Sequence, residues 1–210
     1  MILRNIGCFL LLSILITGCS TTNYYNKTIE EKHSVKALHK DLDFTTQKFK
    51  RFHSNLYWYI SEAEFDQMAD SIKSTITEPL NSKEFYYKIA PLVAAIRQGH
   101  NYVATPQKKG EFDHDHYDCN FFYDSIEFES IEGKLIINKI YDSSQTLLYS
   151  ELLKINGLDV DSLINKHSRL RSSDGFNETF YERRRGFQVK SFFKIEKGEL
   201  DTITLQLKMN

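Results

Sequence analysis

The sequence predicts an α+β fold in which a small N-terminal helical bundle is followed by a strand-rich domain. Two observations lead to this prediction. Between about residues 33 and 103, apolar residues recur three or four positions apart, which is helical spacing. From residue 121 onward the chain consists largely of short β-branched or aromatic runs, such as KLIINKI and ITLQL, separated by the turn dipeptides Glu132-Gly133 and Asn156-Gly157. Helices followed by strands are typical of α+β proteins.

Three amphipathic helices are predicted in the bundle. The first spans roughly His33 to Phe52. The second and third begin at capping boxes, Ser61 with Glu64 and Asn81 with Glu84. Because their apolar stripes bury only against each other, a bundle is expected. In chain order the stripes are Leu38, Leu42, Phe49 and Phe52; then Phe65, Met68, Ala69, Ile72 and Ile76; then Phe85, Ile89, Leu92, Val93 and Ile96.

The sequence also makes separate predictions for four residues in or near these helices. Pro91 removes a backbone donor and is expected to kink the third helix. Gly99 is expected to end that helix in the left-handed conformation. His100 is interpreted as complementing the helix dipole, with a place in a groove between domains as the alternative. Trp58, the only tryptophan, lies in the cluster NLYWYI and is expected to pack in the core.

The first 18 residues have the features of a signal peptide. One positive charge precedes IGCFLLLSILIT, an apolar run that is short for a membrane span. The following ITGC resembles the bacterial lipobox, so we expect Cys19 to become the lipidated first residue. An uncleaved anchor helix is the alternative. Ser20 follows instead of Asp, which favours the outer membrane, and residues 19–32 form a polar tether.

Charge and cysteine content bear on the partners of the protein and on what stabilises its fold. The formal net charge is −1 with the two signs interspersed, which argues against nucleic acid as a partner. Of the three cysteines, Cys8 leaves with the signal peptide and Cys19 is acylated, so Cys119 has no intramolecular partner. The fold is therefore expected to depend on apolar burial, and no cofactor is predicted.

Several longer stretches resemble a known family. HSNLYWYIS, APLVAAI and the Gly99-His100 pair are similar to the helical N-terminal region of tail-specific (C-terminal-processing) serine proteases, above all to the bacterial lipoprotein members. SELLKINGLDVDSL, SSDGFNETFYERRR and DTITLQL resemble the later part of that family's PDZ-like domain. Gln98 and Asn101 depart from the family pattern. The resemblance implies a bundle at 33–103, a linker at 104–120 and a PDZ-like domain with a helical insertion at 121–210.

The resemblance does not extend to catalytic residues. In the family a Ser nucleophile and a Lys base lie in a domain downstream of the PDZ-like part, and Asn210 falls where that part would finish. No family catalytic residue is therefore assigned here, and the chain is expected to be inactive alone. The only Ser-x-x-Lys spacing is Ser191 to Lys194. QVKSFFKIEK is predicted to be a strand, in which these side chains would point to opposite faces.

Two other runs suggest binding. DHDHYDC, residues 113–119, offers His, Asp and Cys ligands for a transition metal, but a second ligand pair is not evident, so no metal site is predicted and a solvated acidic linker is favoured. A peptide carboxylate could bind to the arginines Arg183, Arg184 and Arg185, with Arg169 and Arg171 upstream. The alternative is a solvated helix face balanced by Glu178 and Glu182.

The sequence leaves two main function classes open. In the first, the chain is the lipid-anchored front portion of a tail-specific serine peptidase-like protein, which handles peptide or protein substrates without the Ser-Lys domain. In the second, it is a stand-alone lipoprotein that binds peptides or a partner. A metal-binding lipoprotein is a further alternative. The expected partners are a peptide or protein and the bacterial membrane, and the sequence does not determine the oligomeric state.

Overall fold

The structure is a computed structural model that describes residues 24–106, 122, 125–141, 145–198, 200 and 202–209. Within these residues the predicted α+β class is confirmed, with helices first and an antiparallel sheet after them. The lipobox with Cys19, most of the predicted linker and the DHDHYDC run lie outside the described residues. Across the described part of the chain, none of the helices has the length and apolarity that crossing a bilayer requires.

The N-terminal part contains the three predicted helices. They are α1, Val35–Phe52; α2, Glu62–Ser74; and α3, Ser82–Ala94. A helical segment at 24–30 precedes them. Both predicted capping boxes form. Ser61 and Asn81 accept from the backbone of Glu64 and Glu84, whose side chains accept from the capping residues in return. These reciprocal bonds satisfy donors that a helix start otherwise leaves unpaired.

The stripes of the three helices pack against each other, as predicted, in two adjoining clusters that share the partly buried Ile72 and Phe85. The buried residues of the stripes include Leu38, Leu42, Phe65, Ala69, Ile76, Ile89, Leu92 and Ile96. Two residues depart from the prediction. Phe52, at the end of α1, is 65% exposed, and Trp58 is 68% exposed, so the placement of Trp58 in the core was wrong. The chain turns after α1 in a way that buries Leu56 instead, and Leu56 fills the space at this end of the core.

The end of α3 differs from the prediction in three respects. The helix contains Pro91 and ends at Ala94, so it does not continue as far as Gly99. The residue with positive φ after it is Arg97, at 53°, and not Gly99. The Gly99 N–H instead donates to Asp174 Oδ1 at 2.7 Å. His100 is exposed and lies six residues beyond the helix, so it does not complement the α3 dipole. Docking against a distant segment, rather than a local capping signal, sets this turn.

Among the described residues, five antiparallel strands form the sheet. They are β1, Ile126–Ile131; β2, Lys134–Ile140; β3, Glu151–Ile155; β4, Leu158–Asp159; and β5, Leu205–Lys208. The turns after β1 and β3 use Glu132-Gly133 and Asn156-Gly157, all with positive φ, as hairpins with two-residue loops prefer. Ile155 of β3 pairs with both Leu158 of β4 and Leu205 of β5, so β4 and β5 lie on opposite edges of β3.

Two further helices cover the sheet: α4, Val160–Ser168, and α5, Glu178–Lys197. The strand prediction for QVKSFFKIEK was therefore wrong, because the whole run lies in α5. Its β-branched and aromatic residues favour a strand locally. In the structure Val189, Phe192 and Phe193 are buried at helical spacing, but Gln188 is buried too and Glu196 is partly buried. These polar residues interrupt the apolar repeat that would have identified a helix.

Candidate functional site

A cleft of about 520 Å³ lies between β1 and α5. One edge of β1 pairs with β2, and α5 packs along the other edge. Gly186 permits this close approach, since a Cβ at that position would lie 1.9 Å from the Phe128 carbonyl oxygen. The strand and the helix therefore lie in close contact at Gly186, and the open groove lies beside this contact. The groove is the main candidate for a ligand site.

The lining of the cleft is mostly apolar, with cations along one wall. The residues that line it are Ile126, Glu127 and Phe128 from β1, and Gly186, Phe187, Lys190, Ser191 and Lys194 from α5. The ring of Phe187 is 73% exposed, which is unusual for so large an apolar side chain. An apolar groove with a few convergent charged groups is the usual form of a site for small ligands or peptide side chains.

Lys190 joins the helix to the edge of the sheet. Its Nζ donates to the carbonyl oxygen of Ile126, on the edge of β1 that faces α5. The same Nζ lies 5.8 Å from the ring centroid of Phe128 and 5.9 Å from that of Phe122. Lys194 follows one helical turn later in the lining. Positive charge is thereby placed beside an apolar floor, an arrangement that suits an anion with an apolar body.

The three consecutive arginines of the sequence do not act as a group. Successive residues of a helix point about 100° apart, so they diverge on α5. Arg185 pairs with Asp161 and, at 3.8 Å, with Glu182, which agrees with the alternative of a balanced helix face. Arg184 lies over the rings of Phe180 and Phe187. Of the three, Arg183 is best placed on the face of α5 that lines the cleft, four residues before Phe187 and seven before Lys190.

Ser191 and Lys194 both line the cleft, one helical turn apart. The objection drawn from a strand geometry therefore no longer holds. The helical backbone gives a different argument against a catalytic role for this pair. Acyl transfer needs backbone N–H groups aimed at the developing oxyanion, and those around a residue in the middle of an α-helix donate to the carbonyls four residues earlier. This pair is consequently better suited to binding than to hydrolysis.

A second polar cluster lies where α3, α4 and α5 meet. Glu196 Oε1 accepts from Lys166, from His167 Nε2 at 2.8 Å and from the Tyr87 hydroxyl at 3.2 Å. Lys83 of α3 donates to the backbone carbonyl of Glu196 at 3.2 Å. The imidazole of His167 is fully buried and stacks on Phe192, with centroids 5.0 Å apart. This cluster connects the bundle to the sheet.

The pKa values of the cluster follow from burial and from these bonds. Burial lowers the pKa of His167, against the opposing effect of the Glu196 carboxylate. Its Nδ1 is buried and has no hydrogen-bond partner, which agrees with a neutral ring whose Nε2–H donates to Glu196. Burial alone would raise the pKa of Glu196, but the bonds from Lys166 and His167 outweigh it and hold that pKa at about 2. Burial, then the Glu196 charge, raises the pKa of Tyr87.

Metal binding has no support within the described residues, which contain no group of three or more His, Cys, Asp or Glu side chains that could hold an ion. The DHDHYDC run is outside them, so its metal alternative is untested.

Two comparisons with known proteins return no relative of this chain. No family model matches it, and no curated protein matches it. The likeness to tail-specific proteases therefore depends on the residues quoted above.

Proposed function

We propose that the cleft between β1 and α5 binds the carboxyl-terminal end of extended peptides. The single observation that carries this proposal is the lining itself, an apolar floor with Lys190 and Lys194 along one wall. A terminal carboxylate beside an apolar side chain matches both features. PDZ-like modules capture peptide ends in this kind of position, beside a strand edge.

The described contacts also bear on how the peptide binds. The Phe128 carbonyl abuts Gly186 and the Ile126 carbonyl accepts from Lys190, so α5 already occupies part of the β1 edge. Full strand addition would have to displace these contacts. Binding therefore depends more on the apolar side chain and the carboxylate than on main-chain hydrogen bonds. The expected affinity is modest, roughly micromolar or weaker, since ordering a flexible peptide costs free energy.

We further propose that the chain is a substrate-handling portion of a tail-specific peptidase-like protein, held at the outer membrane by a lipid on Cys19. The support is the resemblance of its sequence stretches and the ITGC motif. In such a protein the cleft would receive chain ends and pass them on for cleavage elsewhere. The described residues serve capture, and hydrolysis by this chain alone is not expected.

Calorimetric or NMR titration tests the proposal. The peptides are matched pairs with an apolar last residue and either a free or an amidated C-terminus. We expect the free form to bind and amidation to weaken it by about tenfold, the loss of one charge-assisted hydrogen bond. Lys194→Ala should produce a similar loss. Arg183→Ala should produce a smaller one, because Arg183 shares a helix face with the lining residues but is not one of them.

Arg169→Ala is the matched control, because Arg169 is an exposed cation at the C-cap of α4, outside the cleft lining. It should leave the affinity unchanged. Binding that is indifferent to amidation and to Lys194→Ala would exclude the carboxylate from recognition. Equal losses in the Arg169 and Lys194 variants would reduce the effect to general electrostatics.

A further inference from the structure

The outward side of α1 carries an unusual combination of side chains. Every residue of this outer face is exposed, and it consists of Lys36, Ala37, Lys40, Asp41, Phe44, Gln47, Lys48, Arg51 and Phe52. Helical spacing places these residues on one side, opposite the buried Leu38 and Leu42. Four cations and one acid share the face with two phenylalanines that are 59% and 65% exposed.

The side chains of the outer face are arranged in alternation. The Nζ of Lys48 lies 5.0 Å from the ring centroid of Phe44 and 5.0 Å from that of Phe52. The Arg51 guanidinium also lies 5.0 Å from the Phe52 ring. These contacts place the charged ends of Lys48 and Arg51 over the two rings. The face therefore offers apolar rings and cations at the same level, which is the pattern of helices that lie at a membrane surface.

We propose that the outer face of α1 rests on an anionic lipid bilayer, with Phe44 and Phe52 inserted among the headgroups. Charge complementarity supports this occupant, because cations near an anionic surface each add attraction while the single Asp41 subtracts little. The position in the chain supports it as well. Between the predicted lipid-bearing Cys19 and the start of α1 lie 15 residues. Because residues 24–30 are helical, this segment reaches less than about 50 Å, the length of a fully extended chain.

A short tether makes a weak surface contact effective. Linking one binding element to an anchored one gives the second an effective concentration in the millimolar range. The face need only bind weakly on its own to lie on the membrane most of the time. The docked orientation does not depend on the peptide cleft, which is built from β1 and α5.

The test is cosedimentation of the chain from Ser20 onward, without lipid, with vesicles of phosphatidylcholine alone or with one quarter phosphatidylglycerol. We expect binding to the anionic vesicles only, and its loss at 0.5 M NaCl through screening. Lys48→Glu should lower the partition coefficient by at least about fivefold, the effect of one cation near the surface. Phe44→Ala with Phe52→Ala should lower it by at least about tenfold.

Matched controls lie elsewhere on the surface. Arg184 of α5 is an exposed cation over two rings, at 5.1 Å from Phe180 and 5.8 Å from Phe187, so Arg184→Glu repeats the charge change in a similar setting. Phe176→Ala with Tyr102→Ala removes two rings of similar exposure, 70% and 60%, that are not in the cleft lining. Both controls should bind as the parent does.

Three results would overturn the proposal: no binding to anionic vesicles, equal binding to both vesicle types, or equal losses in the control variants. Sedimentation velocity distinguishes a fourth case. If the Phe44 and Phe52 substitutions convert a dimer to a monomer and leave vesicle binding intact, the outer face is a contact between two copies of the chain. Circular dichroism confirms that the variants remain folded, and peptide titration proceeds independently.

Discussion

His167 and Glu196 make the stability of the protein depend on pH. The native imidazole resists protonation, because it is buried and its Nδ1 has no acceptor, whereas an unfolded histidine takes a proton near pH 6.5. Below that pH the unfolded chain binds more protons, so the free energy of unfolding falls. Glu196, with its pKa at about 2, adds stability that is present above its ordinary pKa of 4.5 and disappears as the pH falls below that value.

We therefore expect the free energy of unfolding to decline between pH 6.5 and 5, with a slope from His167 of at most about 1.4 kcal/mol per pH unit. A second decline should begin below about pH 4.5. Urea denaturation at several pH values measures both. His167→Phe keeps a ring against Phe192 but has no titrating group, so its curve should be flatter between pH 6.5 and 5 than that of the parent.

His100→Ala is the control for this experiment, because His100 is exposed and its removal should leave the slope unchanged. Parallel curves for the parent and His167→Phe would show that His167 is not the group that titrates.

At the scale of elements, the contact of α5 with β1 depends on a missing side chain. Helix propensity alone predicts that Gly186→Ala stabilises the protein by about 1 kcal/mol. The new Cβ, however, would lie 1.9 Å from the carbonyl oxygen of Phe128, which belongs to backbone and cannot rotate away. Forced separation of packed elements costs about 1–3 kcal/mol.

The clash should exceed the gain in propensity, so we expect Gly186→Ala to lower the free energy of unfolding by about 1 kcal/mol or more. Chemical denaturation measures it. Ser191→Ala changes another residue of α5 that lines the cleft and should stay within about 0.5 kcal/mol of the parent. A Gly186→Ala protein more stable than the parent would mean that helix and strand separate easily, and the tight contact beside the cleft would be doubtful.

The elements themselves were predictable where local chemistry decides them. Capping boxes at Ser61 and Asn81 and the turn at Asn156-Gly157 depend on neighbouring residues, and all three form as predicted. The C-terminal half of α5 was wrongly predicted as a strand because its inner face includes Gln188 and Glu196. Glu196 is accommodated there by Lys166, His167 and Tyr87, which are distant in sequence.

For the whole molecule, the proposed lipid anchor decides where the cleft and the outer face of α1 act. Cys19→Ser should leave unprocessed precursor and abolish fatty-acid labelling, since the serine hydroxyl does not replace the thiol that accepts the lipid. Labelling with radioactive palmitate, followed by membrane fractionation, measures both. Cys119→Ser is the control and should be labelled as the parent is. Unchanged labelling of the Cys19 variant would place the anchor elsewhere.

The sequence by itself determined the class of fold, the three helices of the bundle and the two-residue turns of the sheet. Each follows from periodicity or from capping and turn residues within a few positions of one another. Only the tertiary structure decided the cleft, because it places Ile126 and Phe128 beside Lys190 and Lys194, more than sixty residues away. The tertiary structure likewise decided that Arg185 pairs with Asp161, away from Arg183, and that Trp58 is exposed. Those outcomes depend on contacts between segments that are distant in sequence, and patterns of neighbouring residues do not predict such contacts.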